Sequence, residues 1–321
     1  MAVNVRKLAE KPELLAGGHR ACAGCGASVA LRQIMRAVEG HVVVSFATGC
    51  MEVVTTIYPY TAWRVPYIHN AFENSAATIS GVEAAYRSLK RQGKIDRDIN
   101  FIAFGGDGGT YDIGLQSLSG ALERGHNFLY VCYDNEAYMN TGIQRSGSTP
   151  FGAATSTTPV GSKIKGKQQW KKPLIDICLS HGIPYAATAS PHNYVDLMNK
   201  VQKALSIEGP KFMNVMTSCN RGWHFKADDS IEMNRLAVET CIWPLFEVEY
   251  GVFKVTYKPR NKLPVEEYLK HQGRFKHFFK PGNEHLLETY QKNVDARWEW
   301  LLAMEEFSKE HPYGGLFKPA E

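Results

Sequence analysis

No apolar run in the sequence approaches the roughly 20 residues that a membrane-spanning helix needs. The opening "MAVNVRKLAEKPELL" lacks the apolar stretch of a secretory signal. A cytoplasmic chain without membrane contact is therefore expected. An even set of cysteines is also missing. Seven of them, in a chain this large, argue against a disulfide framework and for thiols that act as ligands or fill a core. Neither sign of charge dominates: the formal net charge is +5, with 21% charged and 44% apolar residues among 321. That is enough apolar material for one large α/β domain or two smaller ones. The basic residues gather at 254–280, where eight Lys or Arg accompany two Glu. No nucleic-acid-reading motif accompanies them, and the interleaved aromatics suit a segment laid against another protein surface. No nucleic-acid partner is expected.

What the sequence does contain is alternation. Short β-branched and aromatic runs, "VVVSFA" (42–47), "NFIAFG" (100–105), "NFLYVCY" (127–133), "PYAATA" (184–189) and "FMNVMT" (212–217), are separated by helical patterns. Ile79, Val82, Tyr86 and Leu89 fall on one helix face within 73–90, as do Leu115, Leu118 and Leu122 within 112–124. Residues 191–206 form a third helix. This order predicts an α/β fold: a mainly parallel sheet with helices on both faces. Two stretches break the pattern. Residues 140–172, rich in Gly, Ser, Thr and Lys, are too long for an ordinary connection and read as a lid or binding loop. From about 230 the strand signals fade into an extended C-terminal arm that ends in a helix near 284–309.

"GHRACAGCGA" (18–27) places Cys22 and Cys25 two residues apart, just before a helical stretch. Cys50 and Cys219 each fall just past a predicted strand. In an open parallel sheet the strand carboxyl ends share one edge, where ligands collect, so the four thiols can meet there. Four thiolates suit zinc or a [4Fe–4S] cluster, and a CxxC pair alone suits a redox disulfide. Spacing leaves all three open. Cys132, Cys178 and Cys241 lie in apolar strand or helix patterns and read as core residues.

"FGGDGGTYDIG" (104–114) follows a strand and opens a helix. Consecutive glycines let backbone amides approach an anion, and a helix N-terminus favours negative charge. Asp107 in their midst can serve a phosphate only through a cation such as Mg²⁺, which takes few protein ligands and completes its shell with phosphate oxygens and water. Asn135, past the following strand, is a partner ligand. Gly-Asp-Gly followed at this distance by Asn resembles the thiamine diphosphate motif. That resemblance implies Mg²⁺ on Asp107, Asn135 and the Ala137 carbonyl, and a diphosphate cradled by Gly106, Gly108 and Gly109. The segment "MNTGIQRSGSTP", with Thr141, would close over the coenzyme. Thiamine diphosphate makes a strongly reducing intermediate from a 2-oxo acid. A cluster beside it could carry the electrons away; zinc could not.

With both constellations in view, the chain resembles the β subunits of 2-oxoacid:ferredoxin oxidoreductases, in their pyruvate branch. The resemblance rests on "HRACAGCGA", "ATGCMEVVTTIYPYTAWRVPYIHNAFEN", "GGDGGTYDIGLQSLSGALERGHNFLYVCYDNEAYMNTGIQRSGSTP" and "KLPVEEYLKHQGRF". It implies the thiamine-diphosphate-binding fold. It implies that Cys22, Cys25, Cys50 and Cys219 hold a [4Fe–4S] cluster, that Phe72 packs on the coenzyme and that Asn140 faces the substrate. Residues 1–230 would carry both cofactor sites, and 231–321 would be an arm and helix against partner subunits. Those partners would be a pyrimidine-binding α subunit that supplies the activating Glu, a γ subunit and a ferredoxin-like δ subunit. Ferredoxin, coenzyme A and a 2-oxo acid, pyruvate or a relative such as oxalate, would be the reactants. A non-redox thiamine lyase with structural zinc, and a zinc- or redox-dependent scaffold, are the competing readings.

Overall fold

In the computed structural model, residues 4–316 are described. The strands are β1 (His41–Ala47), β2 (Tyr67–Asn70), β3 (Ile99–Gly106), β4 (Leu129–Asp134), β5 (Tyr185–Ala189), β6 (Lys211–Met216), β7 (Leu245–Glu249) and β8 (Val252–Tyr257). They form one sheet in the order β2-β1-β3-β4-β6-β5-β7-β8. Pairings from β2 to β5 are parallel, while β7 runs antiparallel to β5 and β8 antiparallel to β7.

Strand side chains alternate between two apolar layers, as a period of two requires. Ile102 and Phe104 of β3, with Leu129, Val131 and Tyr133 of β4, join the layer under the helices Gly26–Ala37 and Tyr194–Ser206. Phe101 and Ala103, with Tyr130 and Cys132, join the opposite layer under Ser75–Arg91, Leu115–Glu123 and Leu174–Leu179. The long helix Glu284–Phe307 reaches this second layer through Leu301. A third cluster, with Trp223, Tyr268, Phe275 and Phe278, caps the strand carboxyl ends beyond β6. Among the described residues no helix is long and apolar enough to cross a membrane.

All five sequence-predicted strands are present, as are the helices. The fading strand signal beyond 230 missed β7 and β8. They are a hairpin whose two loop residues, Tyr250 and Gly251, both have positive φ (47° and 80°), as a two-residue turn of this hand demands. Tyr-Gly is a weak turn signal beside Asn-Gly. The aromatics and leucine of 254–280 also depart from expectation, because Tyr268, Leu269, Phe275 and Phe278 are buried in this chain's own third cluster instead of awaiting another surface.

Candidate coenzyme and cluster site

The sheet winds one way from β1 to β2 and the other way from β3 to β4, so the crevice beside the ends of β1 and β3 is its switch point. Here β1 delivers Thr48, Gly49 and Cys50, β2 leads to Phe72, β3 runs into Asp107 and β4 into Asn135. A cleft opens among them. Phe72, Gly106, Asp107, Gly108, Gly109, Asn135, Ala137, Asn140 and Thr141, the sequence-predicted coenzyme and substrate residues, all line it, joined by Cys50.

Asp107 is only 1% exposed. Its Oδ1 accepts from the Asn135 backbone N–H at 3.3 Å and its Oδ2 from Ser146 Oγ at 2.5 Å. The Asn135 amide oxygen faces both Asp107 Oδ1 and the Ala137 carbonyl oxygen, 3.0 Å from each. Turned over, that amide would donate to both. The amide thus meets two oxygens at 3.0 Å, and with its own oxygen turned toward them the three would share a cation. Octahedral Mg²⁺ with bonds of about 2.0–2.1 Å sets adjacent ligand oxygens about 3 Å apart, so the donor set fits it. Burial raises the Asp107 carboxyl well above the usual range and the Asp134 charge adds to the effect; a bound divalent cation reverses that logic.

Gly108 and Gly109 begin a wide π-helical turn, Gly108–Ile113, before the helix Leu115–Glu123. Glycine is demanded at 108 by contact and not by backbone angle. A Cβ there would lie 2.4 Å from the Tyr138 ring, whose hydroxyl donates to Gly108 O at 2.8 Å. The Phe72 ring sits tilted 6.1 Å from Tyr138, forming one wall. Asn140 and Thr141 are exposed at the rim, where Thr141 Oγ1 donates to Gln144 Oε1 at 2.6 Å.

The segment 140–172 is only partly the lid its composition suggests. Asn140 and Thr141 edge the cleft, but Ser146, Ser148, Thr149 and Lys167 are buried beneath it. Ser146 holds Asp107, and Ser148 Oγ donates to Asp134 Oδ1 at 2.5 Å. This stretch is a foundation. Sequence reasoning quoted these serines without seeing that role, and only the buried hydroxyl partners disclose it.

The thiols converge from three directions. Cys25 and Cys219 face one another across an isolated antiparallel bridge. Gly26 makes that approach possible: a Cβ there would be 2.8 Å from the Ser218 backbone and hydroxyl, and its N–H donates to Ser218 O at 3.1 Å. Cys50 opens the helix Cys50–Thr55. Burial pushes the Cys50 thiol up to about 12, with Cys219, Cys25 and Cys22 adding to the rise and a hydrogen bond from Asn140 opposing it. Burial likewise raises Cys25 and Cys219, and each feels Cys22. Gly222 N–H already donates to Cys219 Sγ at 3.4 Å. Among the described residues no three Cys, His, Asp or Glu side chains close tightly enough around a single ion. Cys132, Cys178 and Cys241 are buried in the core, as expected.

The family described as "Thiamine pyrophosphate enzyme, C-terminal TPP binding domain" matches residues 47–215, from the end of β1 into β6. Pyruvate synthase subunit PorB of Thermotoga maritima is 55% identical over 97% of this chain and 99% of its own length. The chain belongs to the PorB family. The PorB of Methanocaldococcus jannaschii is also 55% identical, over 91% of this chain and 97% of its own. Ketoisovalerate oxidoreductase subunit VorB of Pyrococcus furiosus is 45% identical over 94% and 97%. Among solved structures, the 2-oxoglutarate:ferredoxin oxidoreductase from Magnetococcus marinus shares the fold, with a TM-score of 0.54 at 20% identity over 70% of this chain and 81% of that one.

Proposed function

We propose that this PorB-family chain is the thiamine diphosphate- and cluster-bearing β subunit of a pyruvate:ferredoxin oxidoreductase. Pyruvate, coenzyme A and oxidised ferredoxin give acetyl-CoA, CO₂ and reduced ferredoxin, reversibly. The observation that carries the reading is the meeting of the Asn135 amide with Asp107 Oδ1 and Ala137 O, 3.0 Å from each, on the same sheet edge as four thiols. Bound thiamine diphosphate supplies carbanion stabilisation, and a [4Fe–4S] cluster supplies a one-electron acceptor.

The chain's own residues do the rest. Asp107, Asn135 and the Ala137 carbonyl hold Mg²⁺, while Gly106, Gly108 and Gly109 leave room for the diphosphate, with Thr141 at the rim. Phe72 gives the coenzyme an apolar wall. Asn140, which lines the cleft mouth with Cys50, faces both substrate and cluster. Cys22, Cys25, Cys50 and Cys219 are the cluster ligands. Glu73, the carboxylate next to Phe72, is exposed and precedes the helix Ser75–Arg91, so the Glu that activates the coenzyme belongs to a pyrimidine-binding α subunit. Electrons leave through a ferredoxin-like δ subunit, with γ completing a cytoplasmic assembly. The division at 230/231 gives every cofactor ligand to the first part, while the second, which also completes the sheet through β7 and β8, offers partner contacts. Exposed Trp300 and Phe307 on the terminal helix suit such contacts.

The test is the co-expressed complex, purified without oxygen and assayed for coenzyme A-dependent ferredoxin reduction with pyruvate, oxalate, ketoisovalerate and 2-oxoglutarate. Preference for pyruvate is expected, and the isolated chain should not turn over. Preference for another of these acids overturns the substrate; turnover by the isolated chain overturns the partner's role.

A further inference from the structure

Glu136 lies between the two residues that offer Asn135 Oδ1 and Ala137 O to the cation, and its backbone is left-handed, with φ at 68°. A side chain with a Cβ adopts that conformation only when its surroundings impose it. Glu136 is 3% exposed, and its carboxylate points away from the cleft to two cations brought from distant segments. Arg274 Nη2 donates to Glu136 Oε2 at 2.6 Å and Lys171 Nζ to Oε1 at 3.3 Å. Lys171 also binds Asp134 at 2.9 Å, at the end of β4. Arg274, itself 3% exposed, is fixed in turn. Its Nε donates to Gln272 Oε1 at 2.8 Å, and its guanidinium lies 4.1 Å over the Trp223 ring. Trp223 Nε1 donates to Asn135 O at 2.8 Å. The peptide carrying two of the three cation ligands is thus gripped from behind at both Asn135 and Glu136.

We propose that Arg274 is a positioning residue for the cation site: by anchoring Glu136 and Trp223 it holds the Asn135 amide and Ala137 carbonyl at ligand spacing. Coenzyme affinity is thereby set from the C-terminal segment, far from the glycine-rich motif in sequence. Outer groups that orient metal ligands typically change metal affinity by about 10–100-fold. The inference rests on the proposed Mg²⁺ and thiamine diphosphate site, and its test is separable from the test of that reading.

The experiment is calorimetric titration of Mg²⁺, with thiamine diphosphate present, into chelator-treated complexes carrying R274Q or the doubly neutral E136Q/R274Q. Thermal unfolding of each complex is recorded alongside. The wild-type complex should bind Mg²⁺, and R274Q should bind it about tenfold or more weakly. If R274Q fails to assemble because a buried carboxylate has lost its partner, the double variant decides, since it buries no new unpaired charge. Weakened Mg²⁺ binding by an assembled double variant that unfolds near the wild-type temperature supports the assignment. Wild-type affinity in that variant, or in assembled R274Q, overturns it. Failure of the wild-type complex to bind Mg²⁺ would instead defeat the functional reading on which it rests.

Discussion

The cation cradle and the thiol set lie on one sheet edge yet are built in opposite ways. Asp107, Asn135 and Ala137 are 1%, 6% and 3% exposed, and each contributing segment is braced by hydroxyl, indole or guanidinium groups. Cys22 is exposed, and Cys25, Cys50 and Cys219 are half-buried with few hydrogen bonds of their own. The difference is the one the proposed ligands would call for. An octahedral cation with short, directional bonds needs its donors in place beforehand, while a multi-iron cluster reaches out to thiolates and tolerates looser side chains. The two halves should therefore fail differently.

Asp107→Asn should show the largest effect. It leaves the fold intact, because it takes a buried charge out of a site where burial already disfavours that charge. It should still weaken Mg²⁺-dependent coenzyme binding by at least ~100-fold, beyond what loss of an outer group costs, and pyruvate oxidation should vanish with it. Calorimetry on the complex, with thermal unfolding alongside, checks both parts. Cys219→Ser comes next and sharpens the contrast. It should abolish electron delivery to ferredoxin while Mg²⁺ and thiamine diphosphate bind within about threefold of wild type, well inside the 10–100-fold range of a disturbed metal shell. Parallel loss of coenzyme binding would mean that the two halves are not independent.

How far these sites were legible in the sequence follows the same divide. Phe101 to Phe104 could be assigned to opposite layers because strand periodicity is local, and Asp107 with Asn135 could be paired because strand ends share an edge. Cys50 and Cys219 were reachable by the same reasoning. The braces were not. Arg274 meets Glu136 across a separation of 138 residues, and nothing near either marks the other. Ser146 read as a loop residue because Gly, Ser and Thr compose lids and foundations alike; burial alone tells them apart. Likewise β7 and β8 stayed hidden behind a turn whose Tyr250 takes an uncommon backbone angle.

Smaller effects probe the cradle's rigidity. Gly108→Ala places a methyl 2.4 Å from the Tyr138 ring position. Displacing that ring should cost about 1–3 kcal/mol, seen as a lower unfolding midpoint together with weaker coenzyme binding. Trp223→Phe removes the donor to Asn135 O. A buried carbonyl left unpaired costs about 1–3 kcal/mol, and Mg²⁺ affinity should fall with it. Cys178→Ala is the control at the bottom of the scale. Its thiol is buried in the second apolar layer, so about 1 kcal/mol of packing is lost while iron content and coenzyme binding stay as in the wild type.

The proposed function requires that this one chain carry a redox cluster beside its coenzyme. Iron and acid-labile sulfide, measured together with the electron paramagnetic resonance of the dithionite-reduced state, test it most directly when wild-type and Cys219→Ser complexes are compared. The variant should lose one cluster's worth of iron and one reduced-cluster signal but keep its Mg²⁺-dependent coenzyme. Equal iron and an unchanged signal in both complexes, or stoichiometric zinc in this chain, would contradict it.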